Sequence, residues 1–107
     1  MTITLDEFRK IEIRIGKVLS AEKIENADKL LKLQVDFGDF KRQIVSGIAE
    51  SFTPQDLIGK KLPFIVNLEY RKFKGEESQG MILAIDVDDK TVLLEPAGEV
   101  PLGTLVV

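Results

Sequence analysis

Ile11, Ile13 and Ile15 alternate with Glu12 and Arg14 near the start of the chain, the period-two pattern of a strand with one face buried. Gly16 breaks the alternation. Lys17 falls where an apolar residue is due and Val18 is apolar one place later, which predicts a bulge or sharp bend in a long first strand. Leu31, Leu33, Val35 and Phe37 alternate with Lys32, Gln34 and Asp36 in a second strand, Gly38-Asp39 makes a tight connection, and Phe40 to Ser46 completes a hairpin. Residues 24 to 29, Ile-Glu-Asn-Ala-Asp-Lys, read as the turn before the second strand. Lys61 to Leu68 and Gln79 to Asp86 give strands four and five, and Val92 to Leu94 pairs with the fifth across an Asp88-Asp89 turn.

Two short helices interrupt this pattern. Thr4-Leu5-Asp6-Glu7 has the form of a capping box, with Thr4 as N-cap and Glu7 three places on, so one or two helical turns are expected near residues 5 to 10. Thr53-Pro54 places an N-cap before a proline suited to the first helical position, giving a segment from 54 to about 58 that Gly59 closes. Five or more short strands, little helix and a glycine bend in the first strand point to a small closed or partly open barrel. The five-stranded Greek-key barrel called the OB-fold carries a short helical element between strands three and four, where Thr53 to Leu57 falls, and it commonly binds oligonucleotides on one face.

The 107 residues suffice for one domain with a single modest core, residues 1–107. No repeat, low-complexity tract or linker divides them. No apolar run approaches the roughly 20 residues of a membrane-spanning helix, and the N-terminus lacks the basic start of a signal peptide, so a cytoplasmic protein without membrane contact is expected. The absence of Cys removes disulfides, thiolate metal sites and cysteine nucleophiles, and the absence of His removes imidazole ligands, bases and triads. The remaining carboxylate pairs, Glu76-Glu77 and Asp88-Asp89, sit in turn-like stretches and read as solvated loops. Neither enzymatic activity, a metal site nor a cofactor is expected.

The net charge of −3 argues against a nucleic-acid partner until its distribution is followed along the chain. Arg9, Lys10, Arg14 and Lys17 stand against Glu12 alone, and Lys60, Lys61, Arg71, Lys72 and Lys74 against Glu69 alone. Residues 75 to 107 hold seven acids against Lys90. A fold that sets the two basic segments side by side would own a cationic face despite the acidic total, acting over a Debye length of about 8 Å.

The segments "FRKIEIRIGKVLSAEKIENADKLLKLQVDFG", "IVSGIA", "LIGKKLPFIVNLEYRKFKGEESQGMILA" and "LLEPAGEVPLGTLVV" resemble, in this order and spacing, the tRNA-binding domain found at the C-terminus of methionyl-tRNA synthetases and as free-standing tRNA-binding proteins. The resemblance covers the chain from about Leu5. One departure stands out: many relatives carry His-Pro where Ile24-Glu25 stand here, which leaves the conformation of that loop open. The resemblance implies an OB-fold with extra C-terminal strand elements that binds the outside corner of tRNA without doing chemistry. It also implies a homodimer, and either a separate subunit partnering a methionyl-tRNA synthetase catalytic chain or a domain of a longer synthetase.

The cations expected to meet RNA are Arg14, Lys17, Lys32, Arg42, Arg71, Lys72 and Lys74, with most weight on Arg14 and Arg71 because the guanidinium fork grips phosphate bidentately. For Arg14 and Lys17 the alternative is an ordinary solubilising role. Ser46 and Asn67 either touch RNA or close turns through backbone bonds, and Ser78 and Gln79 offer hydrogen bonds to a sugar or base edge. Met81 is core filler or a soft surface for a base. With one Tyr and no Trp, and with Phe37, Phe40 and Phe64 expected in the core or at turns, no platform of several aromatics is foreseen, so binding should rest on phosphates and shape. Leu5, Phe8, Leu102, Leu105, Val106 and Val107 are expected to form a two-fold interface, the alternative being that the C-terminal tail folds back to cap its own barrel. Two other readings share this fold: a secretion-type chaperone holding unfolded peptides in an apolar groove, and a structural module that docks a synthetase.

Overall fold

The bend expected at Gly16 lies in β1 (Ile13–Ile24), in a computed structural model that describes every residue, Met1–Val107. A Cβ on Gly16 would stand 2.5 Å from Val35 Cγ1 and 2.6 Å from Phe37 Cε1, so a glycine here lets β1 close over the core. The bulge itself comes slightly later, where the register shifts between Val18 and Ser20. β1 pairs antiparallel on one side with β2 (Ala27–Asp36) and on the other with β4 (Lys61–Ile65). β3 (Lys41–Ser46) extends the sheet beyond β2, and β7 (Met81–Ile82) extends it beyond β4, giving the order β3-β2-β1-β4-β7.

Most inward positions read from the alternation form the core, whereas Ile11 precedes β1 and is exposed: Val18, Leu31, Leu33, Val35, Phe37, Ile44, Leu62 and Phe64 are buried within one cluster, and Ile13 and Ile15 are buried as well. Each such side chain contributes about 1.5–3 kcal/mol relative to exposure. Phe37 organises one end, stacked on Phe40 at 5.1 Å and edge-on to Phe64 at 5.6 Å. α2 (Pro54–Leu57) falls where expected, adds buried Leu57 to the same cluster, and ends at Gly59 with φ 89°. α1 (Leu5–Phe8) has the expected reciprocal cap, Glu7 N–H donating to Thr4 Oγ1 and Thr4 N–H to Glu7 Oε1, both at 3.1 Å. It stops at Phe8, short of residue 10, and buries no side chain.

The barrel closes where β3 meets β6 (Glu76–Ser78) and the residues after it. Gln79 N–H donates to the Gln43 carbonyl at 2.7 Å, Gln43 N–H to Gln79 Oε1 at 2.9 Å, and Val45 N–H to Ser78 Oγ at 2.9 Å. This partly side-chain seam completes the expected five-stranded barrel.

Several boundaries differ from the sequence expectation. The turn over 24–29 shrinks to Glu25-Asn26, because Ile24 already pairs with Ala27 and Asn26 takes φ 62°, a conformation that asparagine tolerates. Strand four ends at Ile65. The single strand expected over 79–86 is split: β7 pairs with β4, while β8 (Ala84–Val87) turns to pair with β9 (Lys90–Leu93). Asp88 and Asp89 make the expected turn between them at φ 48° and 66°. Glu76 and Glu77 lie in β6, not in a turn, opposite β5 (Arg71–Phe73), and the turn joining the two is Lys74-Gly75 with φ 53° and 83°.

Beyond β9 the chain returns to β1. Gly103 N–H donates to the Ile15 carbonyl, Ile15 N–H to the Thr104 carbonyl and Val106 N–H to the Ile13 carbonyl, at 2.7, 3.0 and 2.7 Å. The tail is therefore tied down by its backbone while Leu105, Val106 and Val107 stay exposed. No helix is long and apolar enough to cross a membrane.

Candidate nucleic-acid interface

The two basic segments do come together, since β1 and β4 are neighbours with Lys17 opposite Lys61. The acidic C-terminal segment, however, reaches back to part of them. Lys60 Nζ is 3.4 Å from Glu95 Oε1 and Lys61 Nζ 3.3 Å from Glu99 Oε2, so these two lysines are compensated. Among the cations without a carboxylate partner, Arg71, Lys72 and Lys74 stand together and exposed on the β5–β6 hairpin, while Arg9, Lys10, Lys17, Lys23, Lys41, Arg42 and Lys90 are unpaired elsewhere. Lys74 occupies the hairpin tip, and Arg71 lies over the Phe73 ring at 4.9 Å.

The hairpin is fixed to β3. Gln43 Nε2 donates to the Glu77 carbonyl at 2.8 Å, and Arg42 in β3 reaches toward Tyr70 just before β5, its guanidinium carbon 5.6 Å from that ring's centre. Arg42 Nη1 donates to the Val66 and Gln79 carbonyls at 2.8 and 2.9 Å. Those two bonds orient the guanidinium while its other nitrogens make no bond within the protein. Arg42 also lines a depression of about 310 Å³ together with Arg14, Phe40 and Asn67.

Other expected contacts are already engaged within the fold. Arg14 donates from Nε and Nη2 to Glu12 Oε1 at 3.1 and 3.0 Å and from Nη1 to the Gly103 carbonyl at 2.8 Å, so its fork holds the C-terminal return against β1. Lys32 Nζ sits 2.9 Å from Glu22 Oε1 and 3.3 Å from Glu76 Oε1. Hydrogen bonds to Glu22 and then Glu76 raise its pKa above the usual 10.5, against the smaller opposing effect of desolvation. Lys17 is exposed and free of any ion pair.

Asn67 bonds backbone groups far along the chain instead of closing a turn: Oδ1 accepts from Glu12 N–H at 2.8 Å and Nδ2 donates to the Lys10 carbonyl at 2.6 Å, tethering the link between α1 and β1 to the segment just after β4. Ser78 is the one buried polar residue, its hydroxyl accepting from Val45 N–H and donating to the Gly80 carbonyl, both at 2.9 Å. Gln79 uses both ends of its amide, accepting from Gln43 N–H and donating to Glu77 Oε1 at 3.0 Å. The sugar or base contacts expected of Ser78 and Gln79 therefore give way to closing the barrel. Ser46 ends β3 half-buried opposite Leu31. Met81 is exposed, not core, and shares a small depression with Arg71 and Phe73. What sequence reasoning missed is the Phe40–Arg42–Tyr70 cluster, whose signal was the single exposed tyrosine next to the basic run.

Of the expected interface residues, Leu5, Phe8, Leu105, Val106 and Val107 line one apolar groove of about 390 Å³ with Ile11 and Arg9. Leu102 lies elsewhere, its carbonyl beside Gly38 and its side chain at the Arg14–Arg42 depression, because the bend at Gly103 turns the chain between them. A second apolar groove of about 360 Å³, containing Pro63, Leu83 and Leu94, shares Leu105 and Val106 with the first.

Residues 13–105 match the family described as "Putative tRNA binding domain". The methionine–tRNA ligase of Archaeoglobus fulgidus is 54% identical over 104 residues, covering 97% of this chain and 16% of that protein. The Bacillus subtilis methionine–tRNA ligase is 48% identical over 102 residues, covering 95% of this chain and 15% of that protein, so the chain spans only a small part of the curated relatives it matches. Among solved structures, the MetRS related protein from Pyrococcus horikoshii superposes with a TM-score of 0.94 at 46% identity, covering 99% of this chain and 98% of that one. The chaperone CsaA of Bacillus anthracis superposes with a TM-score of 0.90 at 28% identity over the whole of both chains. The barrel, the four motifs in register and these relatives agree: the chain belongs to the tRNA-binding domain family and corresponds to the non-catalytic C-terminal domain of methionyl-tRNA synthetases.

Proposed function

We propose that the protein is a tRNA-binding module that grips the outer corner of tRNA through the β5–β6 hairpin and the adjoining edge of β3, and so raises the affinity of a methionyl-tRNA synthetase for its tRNA. The observation that carries this reading is the close group of cations with no carboxylate partner, Arg71, Lys72 and Lys74 with Arg42 beside them, whereas Arg14 and Lys32 among the other expected cations are compensated. Lys17 adds charge on β1, and Met81 beside Arg71 supplies an apolar surface. Phosphate contacts of this kind position RNA with little sequence preference. Compensation leaves Arg14 and Lys32 outside this set, and the bonds made by Asn67, Ser78 and Gln79 make them supports of it.

Two copies of the chain assembled through the groove of Leu5, Phe8, Leu105, Val106 and Val107 would cover that apolar surface and present two cationic faces to one L-shaped RNA. The protein would act in the cytoplasm, where charged tRNA is made. The contiguous apolar grooves and the likeness to CsaA favour one second reading, in which the grooves hold unfolded peptide.

A gel shift with total tRNA over a salt series tests the first reading, with binding expected at low salt and loss at high salt. Absence of a shift at low salt, together with suppressed aggregation of a denatured client that survives Arg71→Ala, would make peptide binding the better description.

A further inference from the structure

Tyr70 is the one tyrosine in a chain without tryptophan, and its side chain is 52% exposed. Behind it runs a continuous series of flat groups. Phe37, 1% exposed and held edge-on by Phe64, stacks on Phe40 with 18° between the planes. Arg42 has its guanidinium carbon 4.9 Å from the Phe40 ring centre and 5.6 Å from the Tyr70 ring centre. The two carbonyl bonds from Arg42 Nη1 hold this middle member in place. The series is thus anchored in the core at Phe37 and open to solvent at Tyr70.

We propose that the outer face of Tyr70 is a stacking site for a single unpaired base of the bound RNA. The inference rests on the RNA-binding reading and deepens it by naming what the site selects. An aromatic ring fixed at its inner side by a guanidinium offers a preorganised flat surface, and every base has a face to match it, so the contact tolerates sequence. A base inside a duplex has both faces covered by its neighbours, whereas loops, bulges and ends present bases that can be splayed out onto an aromatic. Arg71 and Lys72 follow Tyr70 directly in the chain, and Arg42 keeps free nitrogens beside it, so the phosphates flanking a stacked nucleotide would meet cations. The site therefore favours RNA with an unpaired nucleotide next to a phosphate-rich corner over uninterrupted duplex.

The single tyrosine makes the test direct, because ring signals from tyrosine-labelled protein come from Tyr70 alone. Wild-type protein is titrated by NMR with tRNA, with a short oligoadenylate, and with a ribose-phosphate polymer of the same length lacking bases. Stacking shifts the Tyr70 ring protons upfield with tRNA and oligoadenylate and leaves them in place with the baseless polymer. Tyr70→Leu should weaken oligoadenylate about five- to tenfold and leave the baseless polymer unaffected, while Tyr70→Phe keeps wild-type affinity. A tRNA complex in which the Tyr70 signals do not move, or a Tyr70→Leu loss equal for both polymers, overturns the stacking site and leaves the RNA-binding reading standing. Failure of wild-type protein to bind tRNA at all overturns both.

Discussion

Replacing Arg71 in β5 and Lys32 in β2 separately by Ala is predicted to have different consequences for salt dependence, although both are strand cations. Five cations of the proposed face lack a carboxylate partner: Lys17, Arg42, Arg71, Lys72 and Lys74. If each neutralises one phosphate, log K should fall with log salt with a slope of roughly −3.5 to −4.5, using about 0.7 to 0.9 per phosphate for single and double strands. Arg71→Ala should then reduce the magnitude of the slope by roughly one and weaken all tRNAs by about 1 kcal/mol or more. Lys32 is bracketed by Glu22 at 2.9 Å and Glu76 at 3.3 Å, so a phosphate approaching it meets two carboxylates. Lys32→Ala should leave the slope unchanged. Filter binding or fluorescence anisotropy with labelled tRNA at several salt concentrations measures both, with circular dichroism confirming the fold. A slope for Arg71→Ala equal to wild type, or a reduction by Lys32→Ala as large as that by Arg71→Ala, would refute the assignment of free and compensated cations.

Other consequences follow from packing, assembly and titration. Gly16→Ala would force a methyl against fully buried Val35 and Phe37, so thermal unfolding should show a loss of about 1–3 kcal/mol, and wild-type stability would mean that β1 can shift outward. Leu5→Glu changes a side chain 60% exposed on a helix that buries nothing, so sedimentation should show monomers with an intact barrel; a Leu5→Glu dimer as tight as wild type would move the interface elsewhere. Hydrogen bonds from the Thr53 backbone and then its side chain hold Asp56 below its usual pKa of 3.8, so its contribution is present above that value and lost as pH falls through the folded value. Asp56→Asn should lower stability at neutral pH and flatten its decline in acid, as measured by urea titrations; parallel pH profiles would exclude the linkage.

The sequence showed those parts of the fold that are set within a few residues. The Thr4 and Thr53 caps, the alternation of β2 and the Gly38 connection are local, and each stands where its chemistry placed it. The β5–β6 hairpin escaped because its three-residue strands carry charge on both faces, leaving only Lys74-Gly75 as a signal. The 79–86 stretch misled for the opposite reason: Met81 to Ile85 is uniformly apolar, so nothing in its period marks the change of partner from β4 to β9. Side-chain commitments were least legible. Arg14 meets Gly103, Asn67 meets Lys10 and Arg42 meets Tyr70 only once the barrel has closed, and residue type cannot tell a bound guanidinium from a free one.

The distribution of acids explains how an acidic chain can serve an RNA partner and also why a single copy would serve it weakly. Glu12, Glu22, Glu76, Glu95 and Glu99 each stand beside a particular cation, so these acids help to hold β1, β2 and the C-terminal return in place. Asp86, Asp88 and Asp89 gather instead at the β8–β9 hairpin, where only Lys90 opposes them. A phosphate backbone attracted to Arg71, Lys72 and Lys74 is repelled at that second hairpin, and with screening lengths of about 8 Å each hairpin acts on its own surroundings. On the proposed reading, RNA is drawn to the first hairpin and disfavoured at the second, which limits how many phosphates one barrel can reach. Freeing the compensated cations to enlarge the cationic face would require removing glutamates that now tie strands together. Joining a second copy through the apolar groove adds contacts without that loss, and on the proposed reading this is the physical reason for the module to pair.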